Sequence, residues 1–171
     1  MLKEWIVHEE TAEGAALARE IGTAPIIGQI LWNRGICSAE AARAFLHPED
    51  EPFHDPFLMM DMKKAVQRIL KAIHGGERIV VYGDYDVDGM TSTTLLMKNI
   101  RVLGGDVSYY IPNRFTEGYG INGEALRQIA AEGCGLLVTV DCGISSVDVV
   151  AEMVEGMDII ITDHHLPGRV L

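Results

Sequence analysis

Hydrophobic and polar positions divide the chain into two textures. In the first, residues 11–21 and 25–32 carry apolar positions at helical spacing, and a third segment opens with Ser38 as N-cap and closes before Pro48. Residues 47–56 hold three prolines and four acids and read as a linker. Asp61 then caps a predicted helix in which Ala65, Val66, Ile69, Leu70 and Ile73 recur at helical spacing until the Gly75-Gly76 pair stops it. Such an apolar stripe needs a sheet to cover it.

From Arg78 onward the pattern changes to short β-rich runs at 79–82, 107–111, 136–140 and 159–161. Helical patterns at 91–103, 122–132 and 146–154 separate them. Near-continuous apolar strands alternating with helices predict right-handed crossovers and a mostly parallel sheet covered on both faces. The expected fold is therefore α/β, a mostly parallel sheet flanked by helices over residues 58–171. A small helical segment and linker over residues 1–57 precede it.

Composition narrows the class. With 171 residues, 48% hydrophobic and 23% charged, the chain has one sizeable core and an appendage, and disordered, collagen-like and membrane classes are poor fits. No apolar run approaches the roughly 18 residues that span a bilayer, and Glu4, Glu9 and Glu10 interrupt the N-terminus, so a cytoplasmic protein without membrane association is expected. Cys37, Cys134 and Cys142 are an odd number without C-x-x-C spacing, which predicts buried free thiols and no cysteine zinc site. The net charge of −11 argues against a surface that grips nucleic acid everywhere. Carboxylates gathered to hold divalent cations would also raise the negative charge.

The acids are placed for that purpose. Asp84, Asp86 and Asp88 follow the first predicted strand, Asp141 the third, and Asp163-His164-His165 the fourth. In open parallel sheets the ligand crevice lies beyond the carboxyl ends of the strands, so these remote residues converge there. Crowded carboxylates repel unless protonated or neutralised by cations, and oxygen ligands with one or two imidazoles suit Mn²⁺ or Mg²⁺. Two such ions serve phosphoester hydrolysis. In that scheme Asp141 bridges, Asp86 and Asp88 reach opposite ions because alternate residues point to different sides, His164 ligates, and His165 faces the phosphate.

Competing readings of the same residues are weaker. An EF-hand loop begun at Asp84 would place its twelfth residue on Leu95 where a Glu is needed. Helix capping explains Asp141 or Asp163 singly but not the whole cluster. The run from Gly118 to Gly123 satisfies G-x-G-x-x-G, but residues 112–117 separate it from its strand. The loop is better suited to carrying Asn113, Arg114 and Phe115 to the rim, where Arg holds a phosphate and Phe stacks on a base. Pairing of Arg114 with Glu117 is the alternative for that arginine.

Three stretches carry a resemblance. Residues 81–92 (VYGDYDVDGMTS), 138–146 (VTVDCGISS) and 162–168 (TDHHLPG) resemble successive motifs of the DHH phosphoesterase superfamily. Residues 111–120 (IPNRFTEGYG), with His54-Asp55-Pro56-Phe57, resemble more narrowly its RecJ-like branch of single-strand-specific 5′ to 3′ DNA exonucleases. The resemblance implies Mn²⁺ or Mg²⁺, two ions in a complete site, at Asp86, Asp88, Asp141 and His164, with Asp84 and His165 close by. It also implies single-stranded DNA as partner and roles in DNA repair and recombination. Family members continue past the Asp-His-His motif with another metal-binding Asp and a C-terminal domain. The expectation is therefore an N-terminal fragment with little nuclease activity, whose unpaired sheet edge favours self-association. A DHH phosphodiesterase acting on oligoribonucleotides or cyclic dinucleotides is the nearest rival, and a non-catalytic nucleotide-binding module is a rival of another class.

Overall fold

The computed structural model describes residues 7–118, 120–151 and 156–168. The chain forms two compact units that meet in sequence between Asp55 and Pro56.

Among its described residues the first unit has three α-helices, α1 (Ala12–Ile21), α2 (Pro25–Asn33) and α3 (Ala39–Leu46). Thr11 and Ser38 cap α1 and α3 through side-chain oxygens that accept the N–H of Gly14 and Ala41. Leu17, Leu31, Ala39 and Ala42 form its core. Gly28 lets α2 approach α1, since a Cβ there would stand 2.6 Å from the Ala18 Cβ. Cys37 is exposed, against the expectation of a buried thiol. The proline-rich stretch that follows contains two single-turn 3₁₀ segments, Pro48–Asp50 and Pro56–Leu58.

The second unit runs α4 (Met62–Gly75), β1 (Ile79–Tyr82), α5 (Val87–Val102), β2 (Val107–Tyr110), α6 (Gly123–Ala131), β3 (Leu136–Val140), α7 (Val147–Ala151) and β4 (Asp158–Thr162). All pairings are parallel, in the order β2-β1-β3-β4. The central strands β1 and β3 are buried on both faces, as continuous apolar runs require. Val80, Tyr82 and Leu137 pack with Ala125, Leu126 and Ile129 of α6. Ile79, Val81, Leu136, Val138 and Val140 pack with Ala72 of α4 and with Met97 and Ile100 of α5. The sheet is thus covered on both faces, as the alternation of patterns predicted.

Some local expectations need correction. Helix α5 begins at Val87, four residues before the predicted start at Thr91, because Asp86 accepts the Gly89 N–H and caps it. Asp61 occupies the N-cap position of α4 with φ 56° but makes no side-chain cap bond. Leu70, placed on the buried stripe of α4, is 39% exposed. The predicted helix at 146–154 is observed as α7, and residues 152–154 of that prediction lie outside the described residues.

An arginine pins the end of the sheet remote from the acids. Arg68 of α4 bonds Glu77 through Nη2 at 2.6 Å, Asp158 at the start of β4 through Nε at 2.5 Å, and the Gly135 carbonyl at 3.2 Å. It ties the edge strand β4 to the centre of the unit.

Candidate metal centre

Strand order reverses between β1 and β3: β2 lies on one side of β1, and β3 and β4 on the other. That switch point, beyond the carboxyl ends of the strands, is where an open α/β sheet leaves a crevice. The segments that follow β1, β3 and β4 all enter it.

After β1 the chain turns at Gly83-Asp84. The Asp84 residue is 2% exposed, and its Oδ1 accepts the Tyr85 N–H at 2.7 Å. Two residues on, Asp86 caps α5 at 3.0 Å to the Gly89 N–H, so Asp88 sits in the first helical turn. Alternation along an extended strand therefore does not apply to these acids. Asp86 and Asp88 are separated by the helix start, where the macrodipole and the free N–H groups favour negative charge. The same early helix start rules out a twelve-residue calcium loop at this position.

After β3, Asp141 adopts a left-handed conformation with φ 62°. Asp is among the few residues that tolerate this region, and such backbone is characteristic of functional turns. Its N–H donates to the Thr162 carbonyl at 3.0 Å, which locks the β3 turn to the end of β4. Gly143, at φ 110°, holds a backbone conformation that residues with a side chain rarely adopt.

After β4, His164 Nε2 lies 3.0 Å from Asp141 Oδ1. His165 Nδ1 lies 2.7 Å from Asp163 Oδ1, while Asp163 also accepts the N–H of His165 and of Ile144, each at 3.0 Å. The carboxylate of Asp163 thus holds His165 and the turn after β3 together. Sequence reasoning registered this acid as a cluster member and gave it no task of its own.

Among the described residues two donor sets result. Carboxylate oxygens of Asp84, Asp86 and Asp141 lie within 4.8 Å of one another, as do ligand atoms of Asp141, His164 and His165. Asp141 belongs to both. Asp88 belongs to neither set, but lines an open cleft of about 280 Å³ with Asp141, Asp163 and His164. A cavity of about 630 Å³ between α5 and β2, lined by Met90, Met97, Tyr109 and Ile111 among others, contains none of these acids.

The electrostatics follow from this crowding. Burial, then the charges of Asp86 and Asp88, push the Asp141 carboxyl up, against the opposing pull of His164. Burial would also raise Asp163, but the N–H groups of His165 and Ile144 and the His165 ring outweigh it and hold Asp163 low. Its hydrogen bond to Asp163 raises His165 in turn. An acidic bridge that disfavours its own charge, beside hard oxygen donors and imidazole, is a donor set that a divalent cation relieves.

The loop from β2 to α6 places the predicted rim residues. Glu117 accepts the Tyr110 hydroxyl at 2.5 Å and the Asn113 N–H at 2.7 Å, and Asn113 Oδ1 accepts the Phe115 N–H at 2.9 Å. Glu117 therefore braces the loop, and among the described residues it makes no ion pair with Arg114. Instead the Arg114 guanidinium lies 5.4 Å from the Tyr85 ring centroid. Phe115 is 94% exposed. Tyr82 stacks on Tyr110 at 5.2 Å, donates to the Gly120 carbonyl and accepts the Asn122 N–H, so the loop is anchored at both ends. Asn122 caps α6, which starts at Gly123, the last residue of the Gly-rich run.

The model of the DHH family, N-terminal domain, matches residues 78–171, more than half the chain. The chain belongs to the DHH family. Among relatives, it is 46% identical over 157 residues to the single-stranded-DNA-specific exonuclease RecJ of Bacillus subtilis (strain 168), covering 91% of this chain and 20% of that protein. It is 50% identical over 169 residues to RecJ of Salmonella typhimurium, covering 96% and 28%. This DHH chain thus spans about a fifth to over a quarter of the length of these relatives. A crystal structure of exonuclease RecJ bound to manganese matches 70% of this chain and 31% of its own, at 38% identity and TM-score 0.64. RecJ from Thermus thermophilus in complex with Mn²⁺ matches 93% and 22%, at 29% identity and TM-score 0.63.

Proposed function

We propose that this chain carries the metal-binding core of a single-strand-specific DNA exonuclease that hydrolyses phosphodiester bonds from the 5′ end in DNA repair and recombination. The observation that carries the reading is Asp141, shared between an all-carboxylate donor set and one containing the paired histidines. The names of the relatives supply the substrate class, and the manganese in the solved neighbours supplies the ion class.

In this reading Asp84, Asp86 and Asp141 hold one Mn²⁺ or Mg²⁺, and Asp141 with His164 holds a second, Asp88 standing in the adjoining cleft. Bound ions supply charge neutralisation and an activated water for in-line attack on phosphorus. The protein's own residues do the rest. Asp163 fixes the His165 ring through Nδ1, so that His165, with its raised proton affinity, donates a hydrogen bond to a phosphate oxygen. Arg114 pairs with a phosphate, the Asn113 amide adds a donor, and Phe115 offers its exposed ring to a base.

The chain acts in the cytoplasm in this reading, and no helix among the described residues is long and apolar enough to cross a membrane. Among the described residues β4 pairs on one side only, and its other edge is the surface through which copies of the chain would self-associate, which sedimentation at rising concentration tests.

Asp141→Ala tests the centre. Calorimetric titration should show Mn²⁺ binding lost in the variant, and the intact protein should lose digestion of single-stranded DNA while retaining its circular dichroism spectrum. Unchanged Mn²⁺ binding would remove Asp141 from the site.

A further inference from the structure

One rim residue is held in an unusual way. Arg114 projects from a loop braced by Glu117 and makes no ion pair with any described residue, although the chain carries 25 acids against 14 basic residues. Its neighbour is the ring of Tyr85, at 5.4 Å. Tyr85 stands between Asp84 and Asp86, the first acids of the centre, and its backbone N–H is bonded to Asp84.

This placement has a chemical consequence. A guanidinium beside a carboxylate cluster is drawn into ion pairs, and each such pair must break before the cation can take a phosphate. An aromatic face attracts the cation through its quadrupole without consuming any of the five N–H donors. It holds the arginine in place and leaves it competent for bidentate phosphate contact.

We infer that Tyr85 is a positioning residue for substrate binding: its ring parks the Arg114 guanidinium at the mouth of the metal centre, away from the carboxylates, ready for a phosphate of the single strand. The inference deepens the reading of Arg114 given above and rests on it. It links the substrate-binding loop to the segment that supplies Asp84 and Asp86, so the two parts of the site keep register through one side chain.

A double-mutant cycle on the intact protein tests it, with a 3′-labelled oligothymidylate strand, fluorescence anisotropy, and EDTA to prevent turnover. Arg114→Ala should weaken binding about tenfold or more, as loss of a charge-assisted contact does. Tyr85→Leu should weaken it about two- to fivefold, the range of an exposed cation–π contact, and Tyr85→Phe should bind as the parent does because it keeps the ring. In the Arg114→Ala background Tyr85→Leu should have no further effect. Mn²⁺ titration of Tyr85→Leu without DNA should match the parent. Equal losses from Tyr85→Leu in both backgrounds, a Phe variant as weak as Leu, or reduced Mn²⁺ affinity would overturn the role of Tyr85 while leaving Arg114 in place. Parent-like binding by Arg114→Ala would overturn the reading of Arg114 itself, and the inference with it.

Discussion

Gly89→Ala perturbs the metal centre without touching a candidate ligand. Gly89 lies in the first turn of α5, and a Cβ built there stands 2.6 Å from both Cα and the carbonyl carbon of Asp84, and closer still to its oxygen. Ordinary carbon contacts need about 3.5–4.0 Å, so the helix start and the Asp84 backbone must separate by roughly 1 Å. The neighbours are backbone and cannot rotate away. Overpacking costs about 1–3 kcal/mol, and replacing a helical glycine by alanine returns up to about 1 kcal/mol. The net loss of stability is therefore about 0–3 kcal/mol from the same two contributions. The displacement nevertheless falls on Asp84 and Asp86, whose oxygens must stay within one 4.8 Å cluster with Asp141, and a shift of about 1 Å costs roughly 10²-fold in a positioned site. Calorimetric Mn²⁺ titration, thermal melting and strand digestion by the intact protein should show weakened metal binding and lost turnover, with a melting temperature lowered by no more than about 10 °C. Gly75→Ala is the control, because its nearest neighbour is the flexible Glu77 side chain at 3.6 Å, and it should be neutral or stabilising by about 0.4–1 kcal/mol. Parent-like Mn²⁺ affinity in Gly89→Ala would refute the close-approach argument.

Asp141→Asn should raise the metal-free melting temperature at pH 7. The folded carboxyl is raised above its ordinary value of 3.8, so the parent loses stability as pH climbs through that range, and the gain should vanish near pH 3; a variant less stable at pH 7 would contradict this. Arg68→Met removes the cation between Glu77 and Asp158, and urea denaturation should show a loss of about 2–3 kcal/mol after discounting for the exposed Asp158; a loss below about 1 kcal/mol would show the clamp to be idle. In the native protein a thiol reagent at pH 8 should modify Cys37 alone, because burial raises Cys134 and pushes Cys142 up to about 12; prompt labelling of more than one thiol would count against the buried placement.

The sheet was legible because its central strands are continuous apolar runs with glycine or acid at their ends. β1 was located at both ends and β3 likewise, while the expected β2 ran one residue too long at its end and the expected β4 fell one residue short at each end. Edge strands are only half-buried, so their composition marks their limits less sharply. The convergence of acids was legible for a topological reason, since parallel strands deliver their carboxyl ends to one side. The partners that act through space were not. Asp163 as the clamp of His165, Glu117 as the brace of the loop, and Tyr85 beneath Arg114 depend on distances that no spacing in the chain encodes. Cys37 went wrong because burial was assigned by residue type, while its segment sits in the exposed approach to α3.

The misplaced start of α5 is the most informative difference. Three aspartates in five residues resemble a loop, yet an N-terminal helical turn favours that same composition, with one Asp as cap and another in the first turn. Asp86 therefore has two tasks. One carboxylate oxygen accepts the Gly89 N–H at 3.0 Å, and an ionised carboxylate offers about four lone-pair sites, so capping does not exhaust it. The cap holds the side chain where Asp84 and Asp141 can share an ion with it, and the cation does not have to order the loop first. Asp141 complements this arrangement: its left-handed backbone is held by the bond from its N–H to the Thr162 carbonyl, and Gly143 two residues on supplies a second positive φ, at 110°. The backbone thus arranges the carboxylates in advance, at the cost of repulsion among them, which a divalent cation held as proposed above would relieve.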